Sequence, residues 1–228
     1  EDTNVSITFD PASVATGLTD QLTIPSTELS DYVIGFEGNG VNNNALDFDG
    51  TGDYVGLGDI DELDGVSAFT VEAWINVDVL EDNQAIFVKN ANGAPGNRIE
   101  LDLSGAGVGG NNDFIVFVAD GTNQYGYTNA DVISAGVWTH IAMVFDGTQT
   151  GNADRLKFYV NGVAQTLTFS GTIPAVTLAN TTAAELGRSP AGGTEFDGRM
   201  DELRIWSTAR TQQEIADNLA SYSLTSET

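Results

Sequence analysis

The chain contains no cysteine, a single histidine and only 8 Lys and Arg residues against 33 Asp and Glu. Without cysteine there can be no disulfide, zinc thiolate or cysteine nucleophile, so an internal staple must come from packing or from a metal ion. The net charge of −25 repels nucleic acid and anionic lipid and attracts divalent cations. No apolar run approaches the roughly 18 residues that a membrane-spanning helix needs. We therefore expect neither a nucleic-acid-binding nor a membrane-inserted protein.

The patterns that are present are those of β-structure. In "SAFTVEAWINVD" (67–78), Phe69, Val71, Ala73 and Ile75 alternate with polar or bulky residues, which predicts a strand with one buried face. Further apolar or alternating runs occupy 113–120, 137–147 and 154–162, and each ends at a Gly, Asn or Asp turn. Together with 26 glycines, these runs predict many short strands joined by tight turns, as in a sandwich or jelly roll.

Two local signals mark a hairpin and a helix. Asn161-Gly162 tolerates the positive φ angles of a type I′ turn, so a tight hairpin is predicted there. The segment 208–220 contains Thr211-x-x-Glu214, a capping box, and predicts one C-terminal helix. We find neither a repeat nor a charged linker, so we predict a single domain over 1–228. Its core motifs lie in 45–219, with a first strand at 5–9 and an extended segment filling the rest of 1–44.

The stretch "ALDFDGTGDYVGLGD" (45–59) carries four aspartates and no basic residue. Asp49 and Asp53 flank a Gly-rich turn whose carbonyls could turn inward, and Ca²⁺ prefers six to eight such oxygen ligands. The same aspartates could instead cap a β-turn, as Asp commonly does. Asp59 opens "DIDELD", which we interpret as a solvated loop.

Four segments, in this order, resemble the laminin-G-like, concanavalin A-like jelly-roll superfamily: 45–55, 69–75, 137–162 and 197–215. The similarity is greatest to its bacterial secreted branch, which is related in fold to pentraxins. The resemblance implies an all-β fold of two antiparallel sheets with a short C-terminal helix. It also implies an extracellular, non-catalytic carbohydrate-binding or adhesion module, cut from a larger bacterial surface protein or polysaccharide-active enzyme. A protein–protein or spacer domain without a sugar site is the alternative, and a divergent glycoside hydrolase or polysaccharide lyase is the third reading.

The resemblance also implies a structural Ca²⁺ that links the start of the jelly roll to an aspartate of a late strand. The matching late residue is Asp201 in "GRMDELRIW", which adds a ligand to Asp49, Gly50 and Asp53. An ion there would close a loop of about 150 residues, which favours stability in a chain without disulfides.

A pair of carboxylates suggests catalysis only weakly. Glu100 and Asp102 in "RIELDLSG" share one face of a predicted strand, roughly 7 Å apart. The strand faintly resembles the glucanase motif of the same fold, but Leu103, Ser104 and Gly105 stand where the third carboxylate is needed. We therefore expect no catalytic residues.

Loops rich in Asn and Gly offer the planar hydrogen-bonding groups that sugars use, and nearby aromatic rings could stack on a sugar. The predicted ligand-binding residues are Asn90, Asn92, Asn97, Asn111, Asn112, Tyr125 and Tyr127. The expected partner is a polysaccharide or cell-surface glycan.

The sequence also indicates roles for the three tryptophans and the single histidine. Trp74, Trp138 and Trp206 each lie in a strand-like run, and we expect their large rings to fill the space between the sheets. An exposed ring would instead favour a sugar-stacking platform. His140 has no second histidine or serine motif to partner it, so we expect a structural role.

Overall fold

A computed structural model describes residues 31–33, 45–81, 83–90, 97–104, 113–128, 132–190 and 195–221, the first of these ranges by its backbone alone. Its strands, in chain order, are β1 (Asp31–Val33), β2 (Leu46–Asp49), β3 (Val55–Gly58), β4 (Ala68–Val77), β5 (Gln84–Asn90), β6 (Asn97–Ser104), β7 (Asp113–Asp120), β8 (Tyr125–Thr128), β9 (Thr139–Asp146), β10 (Leu156–Val160), β11 (Val163–Gln165), β12 (Leu167–Ser170), β13 (Ala184–Leu186) and β14 (Asp197–Trp206). The helices are α1 (Asn152–Arg155) and α2 (Gln212–Ser221), and a 3-10 turn covers Asp61–Leu63. The predicted strand at 5–9 lies outside the described residues.

The strands form two antiparallel sheets of seven strands each. In the first sheet the order is β1-β14-β4-β9-β10-β11, and β2 also pairs with β14. In the second sheet the order is β12-β8-β7-β6-β5-β13-β3. The fold is therefore the β-sandwich jelly roll that the sequence predicted.

The core lies between the two sheets and follows the predicted alternation. On β4, Phe69, Val71, Ala73 and Ile75 are buried in it, at most 2% exposed. Strands β6 and β7 of the other sheet contribute Ile99, Leu101, Leu103, Phe114, Val116 and Val118. Alternate residues of every such strand therefore point to the outer face of their sheet, where functional side chains can gather.

The three tryptophans are not core residues, which corrects the expectation for them. Trp74 alternates with the core residues of β4, and Trp74, Trp138 and Trp206 are only half-buried. The indole N–H of Trp206 donates to Glu72 Oε1 at 2.9 Å, which places its ring on the outer face of the first sheet. Smaller aliphatic and phenyl side chains fill the core instead, so all three indoles lie outside it.

Helix α2 packs on the outer face of the first sheet. Its Ile215 is fully buried in a small cluster with Ala142, Val144 and Tyr159. The helix begins at Gln212 rather than at 208, because Thr211 caps it: the N–H of Glu214 donates to Thr211 Oγ1 at 3.3 Å and that of Thr211 to Glu214 Oε2 at 2.8 Å. The predicted capping box is confirmed.

The hairpin between β10 and β11 is also confirmed. Val160 pairs with Val163, which leaves Asn161 and Gly162 as a two-residue loop with φ angles of 48° and 73°. Among the described helices, none is both long and apolar enough to cross a membrane.

Candidate functional site

The outer face of the second sheet gathers aromatic and charged side chains. Along β6, Arg98, Glu100 and Asp102 alternate with the core residues and so point outward. Strand register places Glu100 opposite Phe117, and Phe117 opposite Tyr125. The next row brings Asp102 opposite Ile115, and Ile115 opposite Tyr127. We name the surface formed by Arg98, Glu100, Asp102, Phe117, Tyr125 and Tyr127 the aromatic–carboxyl face.

The aromatic rings of this face form a continuous ladder. The ring centroids of Phe117 and Tyr125 lie 5.1 Å apart, and those of Tyr125 and Tyr127 lie 6.3 Å apart. The guanidinium of Arg98 covers the Phe117 ring at 3.5 Å from its centroid. Phe117 is buried beneath it, whereas Tyr125 and Tyr127 keep part of their surface in solvent. The two tyrosines are therefore the rings of this ladder that a ligand can reach.

Arg98 also neutralises one of the two carboxyl groups. Its Nη1 donates to Glu100 Oε2 at 3.0 Å, and its Nη2 donates to Asn123 Oδ1 at 2.7 Å. Asn90 Nδ2 lies 3.5 Å from the same Glu100 oxygen. Glu100 is thus a buried carboxylate held in a charged hydrogen-bond network.

Asp102 has a different environment. It is 8% exposed, and its Oδ1 has no hydrogen-bond partner. Burial, followed by the negative charge of Glu100, raises the pKa of Asp102 well above its usual value. The face therefore combines a neutralised carboxylate with a carboxyl group that tends to keep its proton.

The structure places the predicted ligand-binding residues in different environments. Tyr125 and Tyr127 lie on the aromatic–carboxyl face, and Asn90 is buried beside it. Asn97 is held by the protein: its Nδ2 donates to Ala179 O and its Oδ1 accepts from Asn180 Nδ2, both at 3.2 Å. The remaining predicted residues, Asn92, Asn111 and Asn112, lie outside the described part of the chain.

The predicted calcium ligands do not all meet. The carboxyl group of Asp53 lies against the backbone of Asp49, because Asp53 Oδ2 accepts the backbone N–H of Asp49 at 3.2 Å. Asp49 Oδ1 accepts the N–H of Thr51 at 2.8 Å, which caps the turn around Gly50. However, Asp49 pairs with Asp197 on β14, and Asp201 lies four residues further along, roughly 13 Å away. That separation is too large for one Ca²⁺ with ligands at about 2.4 Å, so the grouping with Asp201 is wrong.

Asp197 is the β14 carboxyl group that does lie beside this turn. A Cβ on Gly50 would be 3.1 Å from Asp197 Cβ, so only glycine fits there at its φ of 74°. Burial raises the pKa of Asp197, and the charges of Asp78, Glu81, Asp49 and Asp47 raise it further. Sequence reasoning missed this residue because the register between β2 and β14 is a long-range property.

The loop predicted to be solvated, 59–64, instead surrounds a buried cation. Lys89 has no exposed side-chain surface, and its Nζ contacts Asp59 Oδ1, Asn180 O at 3.0 Å and Thr182 O at 3.3 Å. Carboxylate oxygens of Asp59, Asp61 and Asp64 lie within 4.8 Å of one another, a spacing that could hold a metal ion. The Lys89 ammonium already supplies positive charge there. A lone lysine directly after the apolar run "AIFV" of β5 was the available sequence signal.

His140 is buried under the first sheet's outer surface, as its structural role requires. Its ring packs edge-on against Trp74, with centroids 5.5 Å apart, and its backbone N–H donates to Asn161 Oδ1 at 2.9 Å. Burial, and then the charge of Arg204, lower the pKa of His140 to about 4. His140 is therefore uncharged at neutral pH.

Comparison with solved structures relates this architecture to other jelly rolls. Domain 4 of a GH43 extracellular arabinanase from Geobacillus stearothermophilus, solved with arabinotriose, is 21% identical, with 83% of this chain and 87% of that domain covered and a TM-score of 0.54. The CBM40 of a Ruminococcus gnavus sialidase, bound to α2,3-sialyllactose, is 13% identical, with coverage of 78% and 96% and a TM-score of 0.57. A candidate carbohydrate-binding protein from Bacteroides ovatus is 24% identical, with a TM-score of 0.54; 80% of this chain matches 46% of that one. At these identities the similarity is one of fold.

No curated protein matches the chain. The family model described as the concanavalin A-like lectin/glucanases superfamily matches residues 49–216, which is well over half of the chain. The chain therefore belongs to the concanavalin A-like lectin/glucanase superfamily.

Proposed function

We propose that this chain is a non-catalytic carbohydrate-binding module and that the aromatic–carboxyl face is its glycan site. The observation that carries the proposal is the pair of half-exposed tyrosines, Tyr125 and Tyr127, beside hydrogen-bonding groups on one sheet face. The C–H face of a sugar ring is apolar and stacks on an aromatic ring, while its hydroxyl groups need a few fixed polar partners. The face supplies both.

The electrostatics of the chain favour uncharged glycans. The net charge of −25 repels carboxylated and sulfated polymers at low ionic strength. On the face itself, the guanidinium of Arg98 is already bound to Glu100 and Asn123, so it is poorly placed to receive an anionic sugar.

The absence of catalysis is part of the proposal. A retaining glycosidase needs an acid and a nucleophile about 5–5.5 Å apart, on either side of the scissile bond. Here Glu100 is tied to Arg98, and Leu103 points into the core where a further carboxylate would be needed. Glycan binding without cleavage is the function that this arrangement supports.

The wider setting is also a proposal. The arabinanase domain and the sialidase CBM40 are parts of extracellular or glycan-degrading enzymes. By analogy, the module is secreted and serves a larger surface protein or polysaccharide-active enzyme, with adhesion to glycans as a related use. Ca²⁺ bound at the turn of Asp49, Gly50 and Asp53 would stabilise it.

Affinity electrophoresis against soluble polysaccharides tests the function. The panel contains arabinan, arabinoxylan, mixed-linkage β-glucan and galactomannan as neutral polymers, with polygalacturonate and alginate as acidic ones. We expect retardation by at least one neutral polymer. Replacing both Tyr125 and Tyr127 by Ala should remove most of it, because stacking supplies much of the affinity.

Trp138→Ala is the matched control, since Trp138 is a half-buried aromatic residue that directly precedes β9 and whose ring lies near Arg199 of β14, on the first sheet and away from β8. It should bind as the wild type does. Loss of binding in Trp138→Ala but not in the tyrosine variant would move the site to the other sheet. No retardation by any polymer would favour a protein–protein or spacer role.

A further inference from the structure

The two carboxyl groups of the aromatic–carboxyl face are satisfied to different degrees. Glu100 accepts from Arg98 Nη1 at 3.0 Å and lies 3.5 Å from Asn90 Nδ2. Asp102 follows two residues later on the same strand and on the same side, and it is 92% buried. Its Oδ1 has no hydrogen-bond partner. Glu100 thus has its Oε2 engaged by the protein, whereas Asp102 has a buried acceptor without a partner.

The surroundings of Asp102 explain why the protein leaves this acceptor unused. β5 presents Ala85 opposite it and β7 presents Ile115, and neither can donate a hydrogen bond from its side chain. Of the described side chains, the titratable or charged groups that face it are Glu100 and Arg98 on its own strand and Tyr127 on β8. Arg98 is committed to Glu100 and Asn123.

Asp102 is most stable in this position as an uncharged acid. A second negative charge beside Glu100, in a mainly apolar setting, is unfavourable, and both burial and Glu100 raise the pKa of Asp102. Hydrogen bonding between the two carboxyl groups raises the pKa of Asp102 further. A proton on Asp102 can be shared with Glu100, and Oδ1 is left as an acceptor without a partner.

A buried acceptor without a partner is unfavourable, and native proteins rarely keep one without a reason. Tyr127 and Asp102 lie in the same cross-strand row, with Ile115 between them, so a ligand stacked on Tyr127 extends along this row toward Asp102. It reaches the buried Oδ1 when the Asp102 carboxyl group turns outward. A sugar hydroxyl can donate the missing hydrogen bond, whereas a sugar carboxylate cannot and would meet the charge of Glu100.

We infer that Asp102 is the ligand-anchoring and specificity-determining residue of this face: its Oδ1 accepts a hydrogen bond from a hydroxyl group of an uncharged sugar. This inference rests on the proposed function and names its ligand class, the neutral glycans. Asp102 selects them because it offers an acceptor and no positive charge.

Two variants separate this role from a general effect on folding. Asp102→Asn keeps the arrangement of the protonated acid, since the amide N–H can donate to Glu100 and the amide oxygen can accept from the ligand. Asp102→Leu fills the same space beside Ala85 and Ile115 but has no acceptor. Thermal melts of both variants confirm that each is folded before binding is measured.

The binding experiment is affinity electrophoresis with the neutral polymers of the panel, followed by calorimetry with whichever of them retards the wild type most. Asp102→Leu should weaken binding roughly tenfold, the effect of one lost hydrogen bond, and Asp102→Asn should bind within about threefold of the wild type. In 0.5 M salt, which shortens the screening length to roughly 4 Å, polygalacturonate and alginate should still bind more weakly than the neutral polymer.

The possible failures are distinct. If Asp102→Leu binds a neutral polymer as tightly as the wild type, the inference is wrong while the proposed function stands. If Asp102→Asn loses as much affinity as Asp102→Leu, the uncharged acceptor role is wrong. Equal binding of acidic and neutral polymers in high salt overturns the ligand class. If the wild type binds no polymer, both proposals fall.

Discussion

The Nζ atom of Lys89 lies 3.4 Å from Oδ1 of Asp64, and the lysine side chain has no exposed surface. Asp59 is also bonded to this ammonium, and the carbonyls of Asn180 and Thr182 complete its surroundings. The cluster joins β5, the loop that follows β3, and the segment before β13. A buried ammonium is tolerated only because oxygens surround it on several sides.

Replacing Lys89 by Met should destabilise the fold by about 3 kcal/mol, since it leaves the half-buried carboxylates of Asp59 and Asp64 without their cation. We expect a value at the low end of the range for such pairs, because the Asp59 side chain keeps 32% of its surface exposed and can be rehydrated. Urea denaturation at pH 7 measures the loss.

The chain's other lysine provides the control. Lys157 is half-buried on β10, and Lys157→Met should change the free energy of unfolding by less than about 0.5 kcal/mol. Equal effects of the two substitutions would show that the Lys89 cluster contributes nothing specific.

Much of the fold was readable because it depends on local patterns. The alternation of Phe69, Val71, Ala73 and Ile75 predicted β4 and its buried face correctly. The positive φ angles at Asn161 and Gly162, and the reciprocal hydrogen bonds of Thr211 and Glu214, are properties of two to four adjacent residues. Such local signals do not depend on how the rest of the chain folds.

The candidate site was harder to predict from the sequence than the fold, because it depends on strand register and on which face of each sheet is buried. The pairing of β2 with β14, about 150 residues apart in the sequence, makes Asp197 rather than Asp201 the neighbour of Asp49. The tryptophans were expected inside because of their size, yet Trp206 is needed outside as a donor to the buried Glu72. Neither fact can be predicted from a short stretch of sequence.

The chain should not cleave polysaccharides. Glu100 is held by Arg98, and β6 carries no third carboxylate after Asp102 in its described length. Incubation with β-glucan or arabinan should release no reducing ends, and alginate should give no absorbance from unsaturated uronates. Release that disappears in Glu100→Gln would show that the carboxyl pair is catalytic after all.

Ca²⁺ should raise the melting temperature if it binds at the Asp49–Asp53 turn. The nearby charges of Asp47, Asp49, Asp78 and Glu81 act together on Asp197, and a divalent cation would relieve their repulsion. An ion that binds only the native state adds about 2.7 kcal/mol at 100 times its dissociation constant, or roughly 5–10 °C for a chain of this size. Scanning fluorimetry in chelator and in millimolar Ca²⁺ measures the shift.

Variants at Asp49 and Asp197 test whether the Ca²⁺-dependent shift in melting temperature arises at this turn. Asp197→Asn and Asp49→Asn should both reduce the Ca²⁺-dependent shift, whereas Asp201→Asn should keep it, because Asp201 lies four residues along β14 from the turn. Identical wild-type melting in chelator and in Ca²⁺ would mean that these aspartates act only as turn caps.

Asp201 should destabilise the native state at neutral pH. Burial, partly offset by the N–H of Glu202, raises the pKa of Asp201 from 3.8 to about 6. The native state therefore holds this proton more tightly than the unfolded state does. The resulting stabilisation is complete below about pH 3.8 and is lost as the pH rises through about 6.

Asp201→Asn should thus be more stable than the wild type at pH 7, by up to about 3 kcal/mol, and within about 1 kcal/mol of it near pH 4. In the wild type the backbone N–H of Glu202 donates to Asp201 Oδ1 at 2.8 Å, and an amide oxygen can accept the same bond. The irregular pairing of β14 with β4 between Asp201 and Arg204 should therefore persist. His140 titrates in the opposite sense: its pKa is lowered to about 4, so its contribution is complete above about pH 6.5 and is lost as the pH falls toward 4. The wild type and Asp201→Asn both contain His140, so the difference between their urea unfolding curves, measured from pH 4 to 8, isolates Asp201.

Asp154→Asn, at an exposed position on α1, is the control and should follow the wild-type curve throughout. A pH-independent difference between Asp201→Asn and the wild type would show that packing, and not the charge, sets the effect.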